Sequence, residues 1–195
     1  MHGLINRAIQ SFVCLTYGRD RWEKVMQCAD LGFEEFEAML VYDDQCSERV
    51  LRCLCRELDR DLSEILEDLG TFLVSHPDLE PLRRLLRFGG GGYLEFLHSL
   101  DDLPDRTRLA VSDLHLPKLE LREFATGHFN LSCAADLPGF GHVMMGVLRA
   151  MADDYGALAF LEMQKGTDQK EVIRIALLDS AFAEGRGFDL GARAE

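Results

Sequence analysis

The sequence lacks the features that would tie it to a membrane. No apolar run approaches the roughly 18–20 residues that a bilayer-spanning helix needs. The opening Met1-His2-Gly3-Leu4 has no basic segment followed by an apolar one, so no secretory leader is expected and a cytoplasmic location is the default. Basic charge is scarce too: 21 Lys and Arg stand against 34 Asp and Glu, a formal net charge of −13. That balance argues against a nucleic-acid partner, whose phosphates require a basic footprint, and against binding to anionic membranes. It suits a soluble protein with an acidic surface.

Catalytic signatures are missing as well. There is no G-x-S-x-G, no G-x-x-x-x-G-K-[ST], no H-E-x-x-H and no EF-hand loop. The four glycines Gly89 to Gly92 lack the Lys and Ser/Thr of a phosphate loop and follow a helical pattern, so they read as a loop feeding the next helix. The acidic pairs Asp43-Asp44, Asp101-Asp102 and Asp153-Asp154 are adjacent, and neighbours on a helix diverge by about 100°, so none makes a carboxylate dyad unaided. A non-enzyme is expected. The cysteines Cys14, Cys28, Cys46, Cys53, Cys55 and Cys133 include no C-x-x-C and no C-x-x-C-H, which leaves a zinc ribbon, a thioredoxin motif and covalent haem attachment unsupported. Only Cys53 and Cys55 are close, and on a helix they point to different faces. All six are expected as reduced thiols packed like small hydrophobes.

What is present is a run of amphipathic helices. Leu4, Ile5, Ala8, Ile9, Phe12 and Val13 form a stripe over residues 3–16, ended by Tyr17-Gly18. A second helix is expected over 19–30 with Trp22, Val25 and Met26 inward, and a short third over 33–40. Ser47 reads as the N-cap of the next, which buries Val50, Leu51, Leu54 and Leu58; Asp61 with Glu64 reads as a capping box for another. Pro77 and Pro81 bracket the start of a further helix with Leu82, Leu85 and Leu86 inward and Arg83, Arg84 and Arg87 outside. Residues 93–104 read as one helix with Leu97, Leu100 and Pro104 on one face.

After Pro104 the pattern changes. Phe129, Leu131 and Cys133 alternate, and with residues 119–125 and the turn Thr126-Gly127 they predict a hairpin. Pro138-Gly139 precedes a helix ending near Tyr155-Gly156. Residues 158–163 and 172–178 form a second hairpin around 165–168. The fold class is therefore α+β, an antiparallel sheet of about four strands with helices grouped against it. One domain is expected over residues 1–183, helical to about 104 and sheet-containing from about 105, followed by a flexible tail over 184–195.

This order, with several local motifs, resembles the H-NOX family of haem–nitric oxide/oxygen binding domains, also called HNOB. The resemblance rests on Met1-His2-Gly3, on Tyr17-Gly18 followed by Trp22, on Leu31-Gly32, on Tyr42-Asp43-Asp44, on Ile65-Leu66 through Gly70, and on Phe96-Leu97 through Leu100-Asp101-Asp102-Leu103. It covers nearly the whole chain. It implies haem b as cofactor, an α+β fold and a sensory role in which haem ligation is read by a partner in trans, a histidine kinase or a cyclic-nucleotide enzyme.

The resemblance also names positions. The family's proximal haem histidine corresponds to Pro104, and its propionate-holding Y-x-S-x-R corresponds to Asn130, Ser132 and Ala134; Ile5 is a further pocket position. Proline offers no metal-binding side chain, and alanine cannot pair with a propionate. His115 is an alternative haem ligand. His98 is six residues from Pro104 and lies about 120° away around a helix. His2 and His142 are open candidates, each set against an ordinary exposed or hydrogen-bonded histidine; Met144 and Met145 read as helix core. His128, Asn130 and Ser132 share one strand face, which either lines the pocket or faces solvent on an edge hairpin. Two readings remain: a haem-based sensor, or a haem-free protein-interaction or small-molecule-binding module on the same fold.

Overall fold

The computed structural model describes residues 1–134, 137–166 and 170–188. Among these described residues, eight α-helices and four strands run in the order α1 (Gly3–Tyr17), α2 (Arg19–Ala29), α3 (Asp44–Leu58), α4 (Leu62–Ser75), α5 (Glu80–Arg87), α6 (Tyr93–His98), α7 (Leu103–Ala110), β1 (Leu119–Ala125), β2 (His128–Cys133), α8 (Phe140–Tyr155), β3 (Leu158–Lys165) and β4 (Glu171–Asp179). The sheet is antiparallel throughout with spatial order β1-β2-β4-β3, so β2 is a central strand. The α+β expectation, with about four strands in two hairpins, is met.

Apolar side chains gather in two clusters. One is helical, built from α1 to α4 with Phe12, Val13, Val25, Leu54 and Ile65 at its centre. The other joins α6, the sheet and α8 through Phe96, Leu100, Phe129, Leu131, Leu148 and Ile175. They meet where α4 crosses α8, and the crossing is set by glycine. A Cβ on Gly70 would overlap the Val143 carbonyl, and one on Gly146 would overlap the Glu67 carbonyl, so the two backbones lie in direct contact.

Several local expectations are corrected. Residues 33–40 form no helix. Their backbone groups are satisfied by distant side chains instead: Phe36 N donates to Gln10 Oε1 at 3.1 Å, and Trp22 Nε1 donates to the Glu34 carbonyl at 3.1 Å. Helix α3 starts one turn before Ser47, capped by Asp43, whose Oδ1 accepts from Gln45 N at 2.8 Å; Ser47 is buried inside the helix and donates to Asn6 Oδ1 at 2.7 Å. Asp61 sits at the N-cap of α4 but makes no side-chain cap bond. Arg83 is buried rather than outward, with Nε 2.8 Å from Asp154 Oδ1.

The expected helix over 93–104 is broken into α6, a 3₁₀ turn at Leu100–Asp102, and α7. Pro104 explains the break. It has no N–H to give the Leu100 carbonyl, which accepts from Leu103 N instead and tightens the turn. The proline then stands in the first turn of α7, where a missing N–H costs nothing, and helix continues to Ala110.

Cys28 and Cys53 are joined in a disulfide, which corrects the expectation of six reduced thiols. The antiparallel packing of α2 on α3 brings the two together. Of the stretch expected as a tail, residues 184–188 run along the end of α8: Arg186 N donates to the Asp154 carbonyl at 2.8 Å, and Phe188 lies over the Arg87 guanidinium at 4.8 Å. Residues 189–195 lie outside the described residues, as do 167 and 168 of the second hairpin's turn.

Candidate functional site

A cleft of about 950 Å³ opens where the two clusters meet. Ile5 and Ile9 of α1 and Leu66 and Leu69 of α4 supply one wall; Phe140 and Val143 of α8, with Leu116 and Pro117 of the α7–β1 connection, supply the other. Its size falls within the range of roughly 300–1,000 Å³ usual for ligand sites, and its lining is mostly aliphatic. Polar groups come from Met1, His2, Asp44, Glu48, Arg52 and Asp113, and from Ser47 and Cys55 on α3. The amino terminus is tied down by a bond from Met1 N to the Tyr42 carbonyl at 2.7 Å and an ion pair with Asp44.

Ile5 and His115 line the cleft; Pro104, Asn130, Ser132 and Ala134 do not. The alternation of β2 explains the last three. Phe129, Leu131 and Cys133 are fully buried toward α6 and α8, which leaves Asn130 and Ser132 half-buried on the opposite face of the sheet, paired across to Arg122 and Glu120 of β1 and to Arg174 and Val172 of β4. Leu100, Leu103 and Leu119 belong to the same buried cluster as Phe129, Leu131 and Cys133. Asp101 Oδ1 accepts from Leu121 N at 2.7 Å and ties the 3₁₀ turn to β1.

The histidines differ in what they offer. The Nδ1 of His115 is 3.0 Å from the Asp113 carbonyl. A carbonyl only accepts, so Nδ1 carries the proton and Nε2 keeps its lone pair, the arrangement usual for a metal-binding imidazole. His2 is the reverse. Its Nδ1 accepts from Leu4 N at 3.1 Å, which puts the proton of the neutral ring on Nε2. His142 reaches Glu67 at 3.4 Å, and the ring of His98 packs edge-on against Phe129 at 5.7 Å. Met144 and Met145 are buried core, as read from the sequence.

Cys55 is half-buried, and burial raises its thiol above the ordinary cysteine value, which keeps it protonated. Among the described residues no group of three or more His, Cys, Asp or Glu is placed to hold a metal ion. Pro104 and Ala134, the positions that the resemblance assigns to the haem ligand and the propionate clamp, offer a haem nothing: a proline ring has no free lone pair and Ala134 has no charge.

Sequence reasoning missed Leu66, Leu69, Phe140 and Val143 as cleft residues. Their signal was present only as helix stripes, which do not distinguish a core face from a cleft wall.

The chain has recognisable kin. The family model described as Haem-NO-binding (HNOB) matches residues 2–160. The rat guanylate cyclase soluble subunit beta-2 is 26% identical over 133 residues, 65% of this chain and 20% of that protein. A soluble guanylate cyclase of Caenorhabditis elegans is 28% identical over 156 residues, 78% of this chain and 22% of that protein. The chain thus spans about a fifth of the length of these curated relatives. In the solved structures, the Fe(II) unliganded H-NOX protein of K. algicida superposes with a TM-score of 0.80 at 15% identity, covering 94% of this chain and all of that one. The I5F mutant of the T. tengcongensis H-NOX superposes with a TM-score of 0.74 at 16% identity, covering 93% of this chain and all of that one. With the two clusters, the sheet order and the motifs in agreement, the chain belongs to the haem-NO-binding (HNOB) family and carries the H-NOX fold.

Proposed function

We propose that the chain is a sensory and signalling domain of the H-NOX type, related to haem-based nitric oxide and oxygen sensors, whose haem determinants at Pro104 and at Asn130, Ser132 and Ala134 are degenerate. One observation carries the reading: the cleft is walled by both apolar clusters, so whatever fills it bridges the helical part and the sheet part. An occupant that prefers one relative arrangement of the two parts shifts the population toward it. Residues 1–183 act as one such unit. The role of the chain is non-enzymatic, and its output goes to a signalling partner, a histidine kinase or a cyclic-nucleotide enzyme; the guanylate cyclase relatives support the second. A cytoplasmic setting belongs to this proposal; no described helix is long and apolar enough to cross a membrane.

The residues of this chain divide the work simply. Ile5, Ile9, Leu66, Leu69, Phe140 and Val143 bury the apolar body of the occupant and exclude water. His115 offers the one cleft imidazole whose bonding leaves Nε2 free, and it is the donor that a haem in this cleft would require.

The absence of donors at positions 104 and 134 favours a second reading, a haem-free module that binds another small molecule or a protein. Loading the purified protein with haem and recording the visible spectrum separates the two. A stoichiometric Soret band that moves with nitric oxide sinks the haem-free reading, and a colourless protein sinks the haem-based one. If the band forms, His115→Ala is expected to abolish its five-coordinate form; an unchanged spectrum removes His115 as the ligand.

A further inference from the structure

The Cys28–Cys53 pair has a feature that a purely structural crosslink does not need. Cys53 is 6% exposed and belongs to the helical core, whereas Cys28, in the last turn of α2, is exposed to solvent. One sulfur of the bond is therefore open to attack by a dissolved thiolate and the other is shielded. The bond also lies across a helix from the cleft. Leu51 and Cys55 of α3 line the cleft, and Cys53 is two residues from each, roughly 200° around the same helix. Helix α3 is thus held by the disulfide on one side and forms the cleft wall on the other. The loop that the bond closes, spanning 25 residues, includes Val41, Asp44, Ser47 and Glu48, all at the cleft.

Other contacts keep α2 on α3 when the bond is cut. Arg21 Nη1 is 2.6 Å from Glu57 Oε1, and Arg49 Nη2 donates to the Asp30 carbonyl at 3.3 Å. Reduction therefore loosens this wall without dismantling it.

We propose that Cys28–Cys53 is a reversible thiol–disulfide exchange site for small thiols of the glutathione class, and that its redox state sets the mobility of the α3 wall of the cleft. The inference is independent of what occupies the cleft. In the reducing direction a thiolate attacks the exposed Cys28 sulfur, a mixed disulfide forms there, and the Cys28–Cys53 bond breaks. Cys53 leaves as a thiolate and takes a proton from water. A second thiol then attacks the mixed disulfide, which frees Cys28 as a thiol and releases the small-molecule disulfide. Two small thiols are oxidised for each protein disulfide reduced.

The test uses the full chain equilibrated in graded mixtures of reduced and oxidised glutathione, acid-quenched, alkylated and mapped by tandem mass spectrometry, with hydrogen exchange read on the same samples. A single two-electron transition confined to Cys28 and Cys53 is expected. On reduction, amides over 30–43 and in α3 should exchange roughly tenfold faster while those of α8 and β4 stay unchanged. The Cys28→Ser protein should show the fast pattern in every buffer, and Cys133→Ala should switch like the parent. A bond that fails to form, a bond from Cys28 to another cysteine, equal α3 exchange in both states, or loosening spread over the whole chain would each overturn the proposal.

Discussion

The two halves of the molecule hold themselves together by different means. The helical cluster relies on apolar stripes and one covalent bond, with few buried polar groups beyond Gln10, Asn6 and Ser47. The sheet-and-α8 half carries ionic and polar anchors inside its packing. Arg83 and Asp154 pair at 2.8 Å with side chains only 4% and 3% exposed, and Arg87 stacks on the Tyr155 ring at 4.0 Å while reaching Asp154 Oδ2 at 3.2 Å. The Glu171 carboxylate accepts from Gly139 N at 3.0 Å and Gly141 N at 2.6 Å, which fixes the start of α8 to β4. Tyr93 Oη donates to the Leu148 carbonyl at 3.1 Å, and burial raises its phenol above the ordinary value. The half that contains Pro104 is thus tightly specified by its own side chains, and it meets the cleft through Phe140, Val143, Leu116 and Pro117.

The largest effect should come from the seam between the halves. Gly146→Leu forces a side chain into the Glu67 carbonyl of α4, and neither backbone has room to withdraw. Loss of about 4 kcal/mol or more is expected, enough to leave the variant unfolded or unable to keep the halves together, read by urea denaturation. A near-parental midpoint would show that α4 and α8 do not lock the two clusters.

Next comes the ionic anchor of the sheet half. Asp154→Ala leaves buried Arg83 with only the more exposed Glu80 carboxylate, 3.3 Å away, and takes the Asp154 partner from Arg87 as well, and should cost about 3 kcal/mol. Arg83→Met with Asp154→Leu removes this pair but leaves Arg87 without the Asp154 carboxylate, so it should recover only part of that loss. If the double variant is as unstable as the single one, the pair contributes packing rather than charge balance. Cutting the covalent anchor of the helical half should cost a similar amount. Cys28→Ser removes a crosslink over 25 residues, and a loss of about 2–4 kcal/mol relative to the oxidised parent is expected from equilibrium unfolding without added thiol.

What was legible in the sequence follows the same division. Helices α1, α2 and α8 and both hairpins could be read because their signals are local: a 3.6-residue stripe, a terminal glycine, an alternation between turn residues. Residues 33–40 misled because Phe36, Met39 and Leu40 imitate a stripe, whereas Phe36 packs with Phe33 and Tyr42 in an aromatic cluster and Met39 and Leu40 are exposed. Their backbone partners, Gln10 and Trp22, are far away in sequence. Arg83 was placed outside because its partner is 71 residues away. The Cys28–Cys53 bond depends on how α2 and α3 pair, which no cysteine spacing announces. At the site, Ile5 and His115 were named and do line the cleft. The alternation of β2 put Asn130 and Ser132 on one face but left open whether that face lines the pocket or faces solvent on an edge hairpin; the structure turns it away from the cleft, on a central strand rather than an edge one.

The smallest effect separates two cysteines, one from each half. Cys28 is exposed, whereas Cys133 is fully buried on β2, and burial, with Glu171 adding to it, pushes its thiol up to about 12 from an ordinary 9.0. The unfolded chain therefore loses this proton at a lower pH than the folded one. Below pH 9 both states hold it and stability is unaffected; above pH 9 the unfolded state is favoured increasingly, by about 1.4 kcal/mol per pH unit until the folded thiol also ionises near pH 12. Cys133→Ala should flatten this part of the alkaline stability curve, so that the difference between variant and parent shrinks by about 1 kcal/mol from pH 9 to pH 10. In the native protein, iodoacetamide at pH 8 should spare Cys133 while labelling Cys28 after mild reduction. Equal labelling of the two would mean that the sheet half opens as readily as the helical half, and the contrast between a covalently held region and a tightly packed one would fail.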